Sequence, residues 1–223
     1  MKKLSERVPN KNIRTIGRFD FGLLEIKLRQ LIACPLLDAI IVSTDIPGLN
    51  GFIDELGSER LSLHARPSNL AQPESRIEEL AQYAATLTSH THVLWTHVTS
   101  PFITSRDYSR VIEEYFRSCE SDHDSLATVD HVRKYARFNN VALNYGEAGM
   151  EWPPTQELEP VVILDSGVFV SPRDTLKIGK RLGKNPHFFS LGGGLRSFDI
   201  DYEEDFTLAK LIIESFPTST GLQ

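Results

Sequence analysis

The 223-residue chain reads as an α/β protein on a parallel sheet, for three reasons. Short continuous apolar runs alternate with stretches of helical periodicity over roughly the first 130 positions, the signature of βαβ units. The composition, 40% hydrophobic and 24% charged, is that of a domain able to bury a sizeable core. No apolar run approaches the roughly 18 to 20 residues that span a bilayer. Residues 1–223 are therefore expected to form one domain without a membrane partner.

The elements follow in order. Leu24, Leu28, Leu31 and Ile32 repeat at helical spacing and predict a helix over about 19–33, stopped by Pro35. Ala39-Ile40-Ile41-Val42 predicts a buried strand with a polar end at Ser43-Thr44-Asp45. Ile53 and Leu56 allow a short helix, and Leu61 to His64 alternates as a strand. Ile77, Leu80, Ala81 and Ala84 give a helix over 75–88, and the next strand runs from Val93 to about Val98. Thr104 with Asp107 three residues on resembles a capping box, opening a helix striped by Val111, Ile112, Tyr115 and Phe116. Leu126 to Val129 is a fourth strand.

From about 131 to 160 the periodicity fades among Tyr135, Phe138, Trp152, Pro153 and Pro154, which predicts an inserted β-rich lobe. Val161-Val162-Ile163 and Val168-Phe169-Val170 read as two strand-like runs separated by Asp165-Ser166-Gly167. Phe198 to Asp201 reads as a short strand and Tyr202 to Phe216 as the final helix.

The net charge of -6 is unevenly placed. Residues 1–18 hold six bases against Glu6, a local +5, which leaves -11 on the remainder. An acidic body lacks the broad basic face of a nucleic-acid binder, so no nucleic-acid partner is expected. The basic segment fits a local site for a small anion, and it also fits a solvated tail. Two cysteines, Cys34 and Cys119, exclude a disulfide scaffold, and the first residues lack a secretory apolar stretch, so the expected location is cytoplasmic.

Three places can carry chemistry. Ser5 to Asn12 sets short polar side chains and Pro9 among cations, a loop able to hold phosphate oxygens through backbone N–H groups and Lys11, although it lacks the glycines of a Walker loop. Asp199-Ile200-Asp201, read as a strand, puts two carboxylates on one face. That suits Mg²⁺, and it also suits a solvent-facing strand edge. Thr96 to Pro101 closes a strand at its carboxyl end, where ligands of open α/β sheets sit. A histidine there, His97, is as compatible with an ordinary rim residue. His90 and His92 lack partners for a metal site, and Gly192-Gly193-Gly194 reads as a turn.

Taken in order, these motifs resemble the acylneuraminate cytidylyltransferase family. Ser5-Glu6-Arg7-Val8-Pro9-Asn10-Lys11-Asn12-Ile13-Arg14 is similar to its CTP loop, and Ile40 to Asp45 to its second strand. Arg66-Pro67 with Leu70-Ala71 resembles its nucleotide-side loop, and Thr99-Ser100-Pro101-Phe102 a Thr-Ser-Pro-Leu turn. Asp165-Ser166-Gly167 sits at an Asn-Gly turn of the family, and Phe198 to Phe206 resembles its metal-binding strand and closing helix.

The resemblance implies a Rossmann-like nucleotide-diphospho-sugar transferase fold of three α/β/α layers. It implies transfer of CMP from CTP to a nonulosonic, sialic-acid-like sugar for cell-surface glycan (lipopolysaccharide or capsule) synthesis. Lys2, Ser5, Lys11, Asn12 and Arg66 would bind the nucleotide, and His97, Thr99, Ser100, Asp165 and Ser166 the sugar. Asp199 and Asp201 would hold Mg²⁺, with Lys11 and Asp201 catalytic. The 131–160 lobe would pair two copies into a homodimer. The chain departs from the family in four respects: His97 stands for a glutamine, Leu164 for a sugar-side arginine, a central first strand is expected to be missing, and Lys2 stands for an arginine. The first two leave pseudaminic, legionaminic and Kdo-like acids open beside sialic acid. The third leaves open a truncated or inactive relative that binds nucleotide or a partner subunit, and a transferase using another nucleotide remains a further alternative.

Overall fold

A computed structural model describes residues 8–72, 74–146 and 152–222. β1 (Ile40–Thr44) pairs in parallel with β2 (Leu61–Ala65). A second sheet has the order β3 (His92–Thr96), β7 (Val161–Pro172), β4 (Ser125–Val132), β8 (Pro186–Ser190). β3 and β4 run antiparallel to β7, and β8 runs parallel to β4, so β7 is the one reversed strand of that sheet. β5 (Arg137–Phe138) and β6 (Val141–Ala142) form a hairpin in the 131–160 region. Asn139 and Asn140 supply its two positive-φ turn positions, at 46° and 65°.

Helices cover both faces. Leu94 packs with the large core cluster of α1 (Gly22–Ile32), α2 (Asn50–Glu55) and α4 (Ser105–Cys119). Its neighbours Val93 and Trp95 point the other way, onto α3 (Ile77–Thr86) and α5 (Arg173–Lys177). This is the alternation a two-sided strand requires, and it gives three layers. α6 (Glu203–Ser215) packs Phe206, Ala209 and Ile213 on Val8, Ile16 and Leu23. The expected capping box opens α4: Thr104 Oγ1 accepts from the Asp107 N–H at 3.3 Å, and Asp107 Oδ2 accepts from the Thr104 N–H at 3.0 Å. Among the described residues no helix is long and apolar enough to cross a membrane.

Two strand expectations are corrected. The runs 161–163 and 168–170 are one strand, β7, and Asp165-Ser166-Gly167 is a bulge inside it. Ser166 has φ 58°, and the register with β4 shifts between Ala127 and Val129. The polar triplet breaks the apolar run, while ladders to β3 and β4 carry the backbone past it. Phe198 to Asp201 is not a strand: it leaves a 3₁₀ turn at Gly194–Ser197, and the Ile200 N–H donates to the Thr99 carbonyl at 3.0 Å instead of to a ladder. α5 and β8 lay outside the sequence reading. β8 opens on Pro186, which only a strand start or an edge tolerates, and β8 is the last strand of its sheet.

Gly22 starts α1 at φ 48°, where an added Cβ would lie 2.0 Å from the Arg14 carbonyl oxygen. Backbone cannot yield there as a side-chain tip would. Gly22→Ala is therefore expected to lose about 3 kcal/mol in urea unfolding. A loss below about 1 kcal/mol would show that the 10–14 turn does not pack against the helix start.

Among the described residues β1 pairs only with β2 and β3 only with β7. Their open edges line one cavity of about 750 Å³, Ala39 to Ser43 on one side and His90 to Thr99 on the other. Leu24 and Leu28 of α1 and Leu80 and Ala84 of α3 cover it from the two faces. Among the described residues no strand lies in the gap between β1 and β3. Packed interiors hold few voids larger than a water molecule, so a gap of this size is a property of the sheet rather than a packing defect.

Candidate active site

One end of the cavity is polar, lined by Lys11, Asn12, Ser43, Arg66, His97 and Thr99. The first described residues wind into a turn: Asn10 has φ 54°, and its carbonyl accepts from the Ile13 and Arg14 N–H groups at 3.0 and 2.9 Å. The Asn12 carbonyl accepts from the Leu24 N–H at 2.8 Å, which ties the turn to α1. Lys11 Nζ donates to the Ile200 carbonyl at 2.5 Å across 189 residues of sequence. Arg14 pairs with Glu203 at 2.5 Å and lies 3.6 Å from the Phe206 ring centre. Residues 8–14 are thus docked onto the acidic segment, which removes the solvated-tail reading for them. Lys2 and Ser5 lie outside the described residues.

Asp199 and Asp201 flank Ile200, which is fully buried and anchors the segment. Burial, with the Asp201 charge adding to it, raises the Asp199 pKa above the usual carboxylate range against the pull of Thr99 and Lys11. Asp199 Oδ1 is buried without a hydrogen-bond partner. A buried carboxylate oxygen left unpaired is a position that a cation fits. Among the described residues no group of three or more His, Cys, Asp and Glu side chains forms a cation site, so further ligands would have to come from phosphates or water.

The rim gathers other expected residues. His97 is recessed, and burial, with Arg181, Lys27 and Arg66 adding charge, lowers its pKa to about 4. Its Nε2 accepts from Trp95 Nε1 at 3.2 Å. The indole nitrogen only donates, so the neutral imidazole carries its proton on Nδ1. Thr99 lines the cavity and hydrogen-bonds Asp199. Ser100 is 2% exposed and does not line the cavity, and its carbonyl accepts from Lys27 Nζ at 2.8 Å.

Asp165 Oδ1 accepts from Thr128 Oγ1 at 2.5 Å and from the Gly167 N–H at 2.9 Å, and burial raises its pKa. Ser166 sits half-buried at the bulge. Arg66 holds the end of β1 through the Ser43 carbonyl at 2.9 Å and Ser43 Oγ at 3.2 Å. Sequence reasoning passed over Arg181, set 4.1 Å over the Phe169 ring, and Lys27 beneath the rim. Lys27 had a signal: it interrupts the apolar stripe of α1.

Lys11 thus stands with Asp199 and Asp201 at the carboxyl end of an α/β sheet, the place where ligands of such folds bind. The cytidylyltransferase family profile matches residues 3–152, about two thirds of the chain, and the chain belongs to that family. Solved structures agree on the fold. CMP:2-keto-3-deoxy-manno-octonic acid synthetase complexed with CTP superposes with a TM-score of 0.62 at 12% identity, covering 96% of each chain. The bifunctional IspDF of Campylobacter jejuni gives 0.61 at 14% identity, over 94% of this chain and 52% of that one. A 4-diphosphocytidyl-2C-methyl-D-erythritol synthase of Anaerococcus prevotii gives 0.58 at 11% identity, over 92% and 91%. Identities this low carry the fold alone. No curated protein sequence matches the chain.

Proposed function

We propose that this cytidylyltransferase joins CTP to an acidic sugar of the nonulosonic or Kdo type, releasing pyrophosphate and giving a CMP-sugar. The observation that carries the reading is the contact of Lys11 with Ile200, which sets a cationic turn against Asp199 and Asp201. The acidic sugar is proposed from the acceptor class named for one structural neighbour, CMP:2-keto-3-deoxy-manno-octonic acid synthetase.

Lys11, Asn12 and Arg66 hold the nucleotide. Asp199 and Asp201 would hold Mg²⁺, which when bound neutralises phosphate charge. Neutral His97 turns its Nδ1–H donor, and Thr99 its hydroxyl, toward the sugar, while Asp165 and Ser166 border it from the bulge. A second copy docks on the 131–160 lobe. Phe138, Val141, Leu143 and Trp152 there, with Val162 and Ile163 of β7, are exposed apolar side chains that a partner covers. The reaction belongs to the cytoplasm and feeds cell-surface glycan synthesis.

The gap between β1 and β3 among the described residues favours a second reading, a relative that binds nucleotide without turnover. Pyrophosphate release from CTP and Mg²⁺ across Kdo and nonulosonic acids separates the two. Release with one sugar establishes the transferase, and silence from folded protein that still binds CTP establishes the binder. Lys11→Ala is expected to weaken CTP binding by about 1.5 to 3 kcal/mol, the size of a hydrogen bond to a charged group. Unchanged affinity by calorimetry removes Lys11 from the nucleotide site.

A further inference from the structure

Lys27 lies on the buried face of α1, 2% exposed, in line with Leu24, Leu28 and Leu31. Its ammonium donates to the Ser100 carbonyl at 2.8 Å and to the Tyr108 hydroxyl oxygen at 2.7 Å. Thr96 Oγ1 donates to the Gly167 carbonyl at 2.8 Å, so the Tyr108 hydroxyl gives its own proton to Thr96, 2.8 Å away. The Gly167 N–H in turn donates to Asp165 Oδ1. One cation under the sheet end therefore joins two separate loops: the turn after β3 that carries His97 and Thr99, and the β7 bulge that carries Asp165 and Ser166.

Among the described residues no carboxylate hydrogen-bonds this ammonium. Asp107, the acid whose charge reaches it, is bound to Arg196 at 2.6 Å and to Thr104. Burying a charge in this way opposes folding, and an aliphatic side chain would fill the space at lower cost. The fold gains in return a fixed spacing between the two loops.

We propose that Lys27 is a positioning residue for the transfer reaction, holding the Thr96–Ser100 rim and the Asp165–Gly167 bulge in register on either side of the acceptor sugar. The role rests on the proposed function. Burial lowers the Lys27 pKa to about 7 against the pull of Asp107, with Tyr108 and His97 the other titratable groups facing it.

The test uses Lys27→Met, with Lys27→Gln and Tyr108→Phe as milder variants should the first not fold. Amide exchange on the unliganded chain needs no substrate. Positioning predicts exchange about tenfold faster at 97–100 and 165–168, with the rest of β3 and α4 unchanged. With the acceptor sugar, Lys27→Met loses about a hundredfold in kcat, the scale of a 1 Å misplacement, while the CTP dissociation constant stays within about twofold. Lys27→Gln, which keeps a donor, falls between. Unchanged exchange at both loops, uniform acceleration over the whole fold, or an unchanged kcat each overturns the role. A wild-type chain silent with every sugar overturns the proposed function instead, and the exchange result still decides whether Lys27 spaces the loops.

Discussion

Asp199→Asn loses at least about a hundredfold in CTP turnover and at the same time makes the protein harder to unfold, the first through about 2.7 kcal/mol of lost transition-state stabilisation. The two effects have one cause. The carboxylate is half-buried beside Asp201, one oxygen has no hydrogen-bond partner, and its pKa is raised by burial. A folded-state pKa above the unfolded value of 3.8 means that the native state holds more protons just above pH 3.8. Stability therefore falls as pH rises from 3.8 through the folded pKa, and at pH 7 the fold bears the whole cost of the charge. Asparagine removes that cost together with the cation ligand, as expected where function is kept at the expense of stability. Turnover against CTP and Mg²⁺ and a melting curve at pH 7 check both halves. A variant that keeps more than a tenth of the rate does not have its metal at Asp199. A variant that loses rate and melts lower has simply been damaged, and Asp201→Asn then carries the test.

Much of the fold was legible because its signals are local. The strands at Ile40, His92 and Ser125 hold short apolar runs bounded by polar residues, the one at Leu61 alternates, and Thr104 with Asp107 announces α4 by chemistry confined to one turn. The errors fall where a partner strand or a distant loop decides. β7 reads as two strands because Asp165-Ser166-Gly167 is polar, yet its ladders to β3 and β4 outweigh that local signal. Asp199 to Asp201 alternates like a strand, but its backbone answers to Thr99 and Lys11 instead of to a neighbour in a sheet.

The candidate site divides the same way. The motifs around Lys11 and around Asp199 are visible separately, and only folding joins them. Ser100 looks like a ligand because it carries a hydroxyl, whereas in the structure the Ser100 carbonyl is what Lys27 holds. Lys27 was legible as a break in the α1 stripe, and what remained hidden was which buried atoms it answers.

A five-residue apolar strand such as Val-Ile-Val-Ile-Val, fused ahead of residue 1, is expected to raise the melting temperature by about 6 to 12 °C. Each aliphatic side chain taken out of water contributes roughly 1.5 to 3 kcal/mol, and each net backbone hydrogen bond about 1 kcal/mol. Ordering the segment removes about 1 to 2 kcal/mol per residue. A net gain near 3 kcal/mol moves a chain of this size by about 2 to 4 °C per kcal/mol. Among the described residues the gap offers what such a strand needs: two open edges, β1 and β3, and aliphatic cover from α1 and α3. Its carboxyl end is marked by Arg66, which bonds Ser43 at the end of β1 and whose charge reaches His97 past the end of β3. Both strands therefore point the same way, and an inserted strand parallel to them delivers its last residue beside Lys11, at the polar end of the cavity. A control fusion of the same length, Asn-Pro-Asn-Pro-Asn, can neither bury apolar area nor complete the ladders. Equal melting temperatures for the two fusions would mean that the gap closes by collapse of the helices and is no strand site. A gain confined to the apolar fusion, with tighter CTP binding, would tie the space between β1 and β3 to the order of the nucleotide site itself.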